Sequence, residues 1–326
     1  MFSRERFWDW VLLLVCNLIW ASQFVLVKIV QKQMGPIAAT SLPMLLATLM
    51  LVPIVHFESR RAIGQSRTEL GDRWVAFLLI GVCGQVFAQL FITWGVRFTL
   101  ASNAALLMLA LPIVTSFMAY LILSETMTRV RWISFGLALA GIAVCSGVDW
   151  KTLNFSGSSN ALGNLLIVAS VCGSAFYNVY SKKLLGQYTP LQVLLYSYYF
   201  VVALLVPITI FLEPEFLRQV MHYTAQTWIG IGLLAGLQYF LSMVLFLTVL
   251  KRLDAIQASL SNYMIPFFGL AIAAAVLHER LTASMIAGGV LVLLSTLLIT
   301  VYEERASFQR HIMPESTNVL KHESTD

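Results

Sequence analysis

The sequence predicts an all-α integral membrane protein of ten transmembrane helices, arranged as two inverted five-helix repeats. Three observations lead there. Of 326 residues, 59% are hydrophobic and 11% charged, where a soluble domain carries roughly 25% charged residues. Ten long apolar segments divide the chain, and about 20 apolar residues suffice to cross a hydrocarbon core. The chain also matches itself at one offset, 154 residues. A water-exposed surface cannot be built from such a composition. A cytosolic enzyme, a nucleic-acid module and a disordered scaffold are therefore excluded.

In chain order the segments fall at 8–30, 35–57, 73–96, 100–123, 131–149, 160–181, 189–212, 224–249, 255–277 and 282–302. The first follows Arg4 and Arg6 as a signal peptide would, but it is too long for an h-region and no cleavage site follows it. It reads as an uncleaved span. Barrel strands would alternate over about ten residues; these runs are twice as long and unbroken. Cys16, Cys83, Cys145 and Cys172 lie inside apolar runs without CxxC spacing, so they read as small packing residues. The polar stretch 303–326 reads as a cytoplasmic tail.

The loops carry the charge. With a cytoplasmic N-terminus, fifteen of the 21 lysines and arginines face the cytoplasm, and both termini lie inside. The net charge of +5 then orients the spans and implies no nucleic-acid partner. A multi-pass protein of the plasma or bacterial inner membrane is expected. Tryptophans mark span ends, at Trp8, Trp10, Trp74, Trp94, Trp132, Trp150 and Trp228; Trp20 alone lies well inside a span.

At the 154-residue offset Lys28 meets Lys182, Trp74 meets Trp228, Glu125 meets Glu279 and Thr128 meets Thr282. Pro36, Pro53 and Pro112 meet Pro190, Pro207 and Pro266, which pairs six of nine prolines without a gap. The first repeat is placed at 8–149 and the second at 160–302. Five spans per half is an odd number, so the second half enters the membrane the other way up. Inverted repeats are an architecture of secondary transporters, with a site between halves that opens to each side in turn.

The residues Asn17-Leu-Ile-Trp20-Ala21-Ser22 followed by Lys28, then Ala101-Ser-Asn-Ala-Ala105, Pro112 and Leu123-Ser-Glu125, carry a family likeness. Span nine echoes them in Ala255-Ile-Gln-Ala-Ser259, Pro266 and Leu277-His-Glu279-Arg-Leu. In order and spacing the chain resembles the ten-helix EamA-type members of the drug/metabolite transporter superfamily, over about residues 8–302. The resemblance implies a metabolite carrier with a central cavity lined by spans 1, 3, 4, 6, 8 and 9. It implies no single substrate.

Polar side chains inside a bilayer are costly and usually face the bundle interior or a wet cavity. The candidates are Trp20 and Gln23 on span one, Gln85 and Gln89 on one face of span three, and Asn103 on span four. Tyr177 and Asn178 (span six), Gln238 and Tyr239 (span eight), and Gln257 and Asn262 (span nine) complete the set. Each can instead bond a neighbouring helix. Lys28 and Lys182 are placed as gates or as snorkelling end residues, Pro112 and Pro266 as hinges or fixed bends. Glu125 and Glu279 read as interfacial carboxylates beside Thr128 and Thr282, which can cap the following helices. Gly232-Leu-Leu-Ala-Gly236, and Gly136 with Ala140, predict close helix packing within a monomer; a dimer face is the alternative.

No aspartate or glutamate falls at mid-span. A lipophilic cation would pair with such a carboxylate, so the sequence favours a neutral or zwitterionic, amino-acid-like small molecule as substrate. Proton-coupled export of drugs or toxic metabolites is the alternative. A non-transporting membrane enzyme or assembly factor is the alternative of another class. No phosphate-binding GxxxxGK[ST] loop, HExxH or GxSxG is present, so neither ATP-driven transport by this chain alone, nor a cofactor, metal or catalytic residue, is expected.

Overall fold

The computed structural model describes residues 4–61, 73–98, 107–125, 128–145 and 158–265, with isolated positions up to Tyr302. The main helices are α1 (Arg4–Val30), α2 (Pro36–Arg61), α3 (Trp74–Phe98), α4 (Leu111–Leu123), α5 (Arg129–Cys145), α6 (Ser158–Leu184), α7 (Pro190–Leu212), α8 (Ala225–Arg252) and α9 (Ala255–Leu260). No strand occurs among the described residues. Five of these helices (α1, α2, α3, α7 and α8) are long and apolar enough to cross a membrane. Asn103, Pro266 and Glu279, with most of the tenth predicted span, lie outside the described residues.

Helix starts follow from local chemistry. Pro36 and Pro190 begin α2 and α7, positions where a missing N–H removes no helical bond. Thr189 and Gln192 form a reciprocal capping box at α7, and the Thr224 hydroxyl accepts from Thr227 N–H at α8. Pro112 does not interrupt a continuous α-helix. It sits in the first turn of α4, immediately after the 3-10 turn Met108–Ala110, so span four changes helix type at the proline.

Helices α2 and α7 run antiparallel and are tied at both ends. The Glu213 carboxylate accepts the Ile37 and Ala38 N–H groups at 3.1 and 2.9 Å, while the Thr189 hydroxyl donates to Glu58 at 3.2 Å. Glycine at position 35 leaves room for the Glu213 carboxyl, which would lie 2.2 Å from an added Cβ. The bond between Ser41 and Thr209 at 2.7 Å joins the same pair in mid-span.

Close backbone approach brings α3 and α6 together. A Cβ on Gly173 would stand 2.6 Å from the Phe87 Cβ and 2.8 Å from the Ala88 nitrogen, and one on Gly84 would stand 3.0 Å from the Tyr177 Cβ. The Ser170 hydroxyl donates to the Ala88 carbonyl at 2.6 Å across this seam. The outer faces are apolar and exposed, with Phe117, Leu165 and Phe211 among them, as lipid contact requires.

The glycine pair of α8 corrects one expectation. Among the described residues nothing lies within 4 Å of a Cβ placed on Gly232, Gly236 or Gly136. Among the described residues these glycines meet no neighbouring helix; the close packing falls on Gly84, Gly95, Gly163 and Gly173 instead. Gly173→Val is expected to cost about 1–3 kcal/mol by overpacking, read as a lower melting temperature in detergent. Gly232→Val, with no neighbour to meet, should leave that temperature nearly unchanged.

Candidate functional site

Two helices widen at matching places. Residues Ile80–Val86 of α3 and Leu234–Leu241 of α8 adopt π-helical turns, and their starts are again 154 residues apart. Single π segments are rare and recur at functional sites. Gln85 and Gln238 belong to these wide turns, and both are buried. Neighbouring hydroxyls serve the backbone here: the buried Tyr198 hydroxyl donates to the Tyr239 carbonyl at 2.7 Å.

Between the two widened helices lies a narrow cavity of about 70 Å³, drawn from α1, α3, the start of span four, α6, α8 and the start of span nine. Eight of the residues singled out in the sequence line it: Trp20, Gln23, Gln85, Gln89, Tyr177, Asn178, Gln238 and Asn262. Phe24, Ala88, Ile92, Met108, Leu111, Ser174, Met243 and Ile265 complete the wall. Twelve of these sixteen are repeat partners: Trp20 and Ser174, Gln23 and Tyr177, Phe24 and Asn178, Gln89 and Met243, Met108 and Asn262, Leu111 and Ile265. Ser174 and Asn178 therefore had a signal in the sequence, since they sit 154 residues after Trp20 and Phe24. Met108 carries the same kind of signal through Asn262, whereas Leu111 and the other apolar members do not stand out within apolar spans.

Amides link three helices across this wall. Gln238 Nε2 donates to Gln23 Oε1 at 2.9 Å, and Gln23 Nε2 donates to Gln89 Oε1 at 2.9 Å. The Trp20 indole N–H donates to the Ser242 hydroxyl at 2.9 Å while its ring tilts against Phe246, with centroids 5.0 Å apart. Asn17 donates to the Ser261 carbonyl at 2.9 Å, which joins α1 to the 3-10 turn that follows α9.

Other groups in the same wall are left without partners. Both polar atoms of Gln85 and of Asn262, the Tyr177 hydroxyl and Gln238 Oε1 are buried and meet no partner in good hydrogen-bonding geometry among the described residues. Roughly 90% or more of buried polar groups are bonded in folded proteins. A cluster of unbonded donors and acceptors around one cavity is therefore suited to a solute that supplies the missing partners. No aspartate, glutamate, lysine, arginine or histidine lines the cavity among the described residues.

Two predicted residues stand apart from it. Tyr239 is fully buried but absent from the wall, and Gln257 completes a capping box with Asp254 at the start of α9. Of the four placed as gates or hinges, the three that are described lie outside it too. Lys28 is exposed at the end of α1, Lys182 is half-buried at the end of α6, Pro112 adjoins the wall at Leu111, and Pro266 is not described.

Comparison with known proteins agrees with this arrangement. Residues 7–147 and 161–301 each match the EamA-like transporter family, and the two stretches begin 154 residues apart. A "Probable amino-acid metabolite efflux pump" of Salmonella typhimurium is 25% identical, covering 87% of this chain and 92% of its own. A "Probable terminal-alkyne amino-acid exporter" of Streptantibioticus cattleyicolor is 26% identical, covering 68% and 71%. An uncharacterized transporter of Archaeoglobus fulgidus is 22% identical over 89% and 96%. A solved crystal structure shares the fold with a TM-score of 0.69 at 14% identity, covering 90% of this chain and 98% of that one. The matches cover most of the sequence in two copies, and the chain belongs to the EamA-like transporter family: it is a multi-pass membrane transporter of small molecules and not an enzyme.

Proposed function

We propose that the protein is a secondary transporter of small neutral or zwitterionic metabolites, amino-acid-like in chemistry, working by alternating access between two inverted five-helix repeats. The observation that carries this reading is the uncharged cavity wall. Its unbonded amides and hydroxyls offer both donors and acceptors, which suits a solute with ammonium and carboxylate or amide groups. A net cation would find no carboxylate there among the described residues. The names of two relatives point to amino-acid-type cargo as well.

Helix polarity supports the inversion. Asp9, near the start of α1, pairs with Arg252 at the end of α8 at 2.9 Å, and Lys182 at the end of α6 reaches Leu250 of the same helix end. The start of α1 and the end of its repeat partner α6 are therefore at the same end of the bundle. The antiparallel ties between α2 and α7 repeat the pattern. On the charge distribution we place both termini and the Lys182 end in the cytoplasm, the protein in the cell membrane, and its working unit as a monomer.

Counterflow of labelled amino acids into proteoliposomes tests the substrate class. Uptake that depends on preloaded unlabelled substrate is expected; pumping of quaternary ammonium dyes against a proton gradient would refute the assignment. Gln85→Leu combined with Asn178→Leu is expected to reduce flux at least about tenfold, since two lost hydrogen bonds near 1 kcal/mol each already exceed that factor. The elution profile in detergent should stay unchanged. Gln23→Leu removes the middle of the amide chain and strands Gln89 Oε1 and Gln238 Nε2. It is expected to cost about 2 kcal/mol of stability, measured as a shift in thermal unfolding.

A further inference from the structure

The two lysines that the repeat pairs are in unlike states. Lys182 Nζ donates to three backbone carbonyls, those of Leu250 (2.7 Å), Lys251 (3.3 Å) and Leu253 (2.6 Å), at the end of α8. Lys28 is exposed and has no polar partner among the described residues. Glu125, just past the end of α4, meets the same α8–α9 turn from the other side. Its Oε1 accepts the Ala255 N–H at 2.8 Å and its Oε2 the Ile256 N–H at 3.0 Å. Arg131 at the start of α5 adds an ion pair to Asp254 at 3.3 Å.

The signs are chosen by the backbone. A helix end exposes carbonyls that a cation satisfies, and a helix start exposes N–H groups that an anion satisfies. One turn, residues 250–256, is thus gripped by a lysine from α6 and by a glutamate from span four. Burial pushes the Glu125 carboxyl above its usual range, and the two N–H groups pull it back. Span four, α6, α8 and span nine are four of the six elements around the cavity. At the opposite end, by contrast, a space of about 530 Å³ opens among Gln31, Lys32, Arg97 and His222.

We infer that Glu125 and Lys182 form a latch that holds the α8–α9 turn against spans four and six, so that the cavity is closed at the Lys182 end and opens there when the latch releases. This deepens the transport reading and rests on it, but its test needs no substrate. Arg129, Lys183 and Lys251 are exposed at this end and accept spin labels as cysteines, with Cys16, Cys83, Cys145 and Cys172 replaced by serine. Electron–electron distances for the pairs 129/251 and 183/251 are then read in lipid nanodiscs. Glu125→Gln with Lys182→Met is expected to enlarge the longer-distance population about tenfold, the effect of removing a differential interaction from one of two states. Lys28→Met is expected to leave both pairs as in the unmodified latch. Distances in a monodisperse Glu125→Gln/Lys182→Met protein that superimpose on the parent would overturn the latch, as would an equal widening by Lys28→Met. If the double variant fails to fold, Lys182→Gln read with the 183/251 pair decides in the same way. Widened distances without flux of any amino acid would sink the transport reading and leave the latch standing.

Discussion

A hydrocarbon core offers no hydrogen bonds, so every polar group within a span must find its partner inside the protein. This constraint organises the whole molecule. Helical backbone satisfies most of it locally. Where α3 and α8 widen into π turns that local pairing is disturbed, and side-chain hydroxyls such as those of Tyr198 and Ser170 bond nearby carbonyls. Hydroxyls reach a carbonyl only when helices lie close, and glycines at positions 84 and 173 permit that approach. The tight seam between α3 and α6 and the irregular turns beside it are therefore parts of one arrangement.

The same constraint explains the chemistry of the cavity. An amide offers donors and acceptors without a net charge, at far lower desolvation cost than a carboxylate. The chain Gln238–Gln23–Gln89 satisfies some of that capacity internally and ties three helices together. Among the described residues Gln85, Asn262 and the Tyr177 hydroxyl leave the rest unsatisfied. A wall of this kind is costly in isolation, and under the proposed function a solute that completes it offsets that cost.

Much of this was legible in the sequence. Apolar run lengths marked the five long apolar helices α1, α2, α3, α7 and α8, and the 154-residue offset recurs in the cavity wall, where it pairs Trp20 with Ser174 and Gln23 with Tyr177. Polar residues such as Gln85, Gln89 and Asn178 stood out because a bilayer makes them expensive. The π turns were not legible, since no residue type in Ile80–Val86 or Leu234–Leu241 marks the extra backbone width. Gln257 was misleading for a related reason. An amide in the first turn of a helix satisfies the backbone as readily as it faces a cavity, and composition does not separate the two. The GxxxG of α8 misled in the same way, because spacing gives a face but not its direction.

The near-equivalence of the two halves makes their differences informative. Among the described residues Lys182 is engaged three times over, whereas Lys28 makes no polar contact. A carrier needs two states separated by only a few kcal/mol, so that modest differential contacts move it between them. Contacts from a lysine and a glutamate to a single turn are of that size, because each replaces bonds to water that the same groups make on release. By contrast, α2 and α7 are tied at both ends, by Glu213 and by Glu58. Ties at both ends suit a scaffold that stays fixed, and under the proposed latch spans four, six, eight and nine are the parts that move against it.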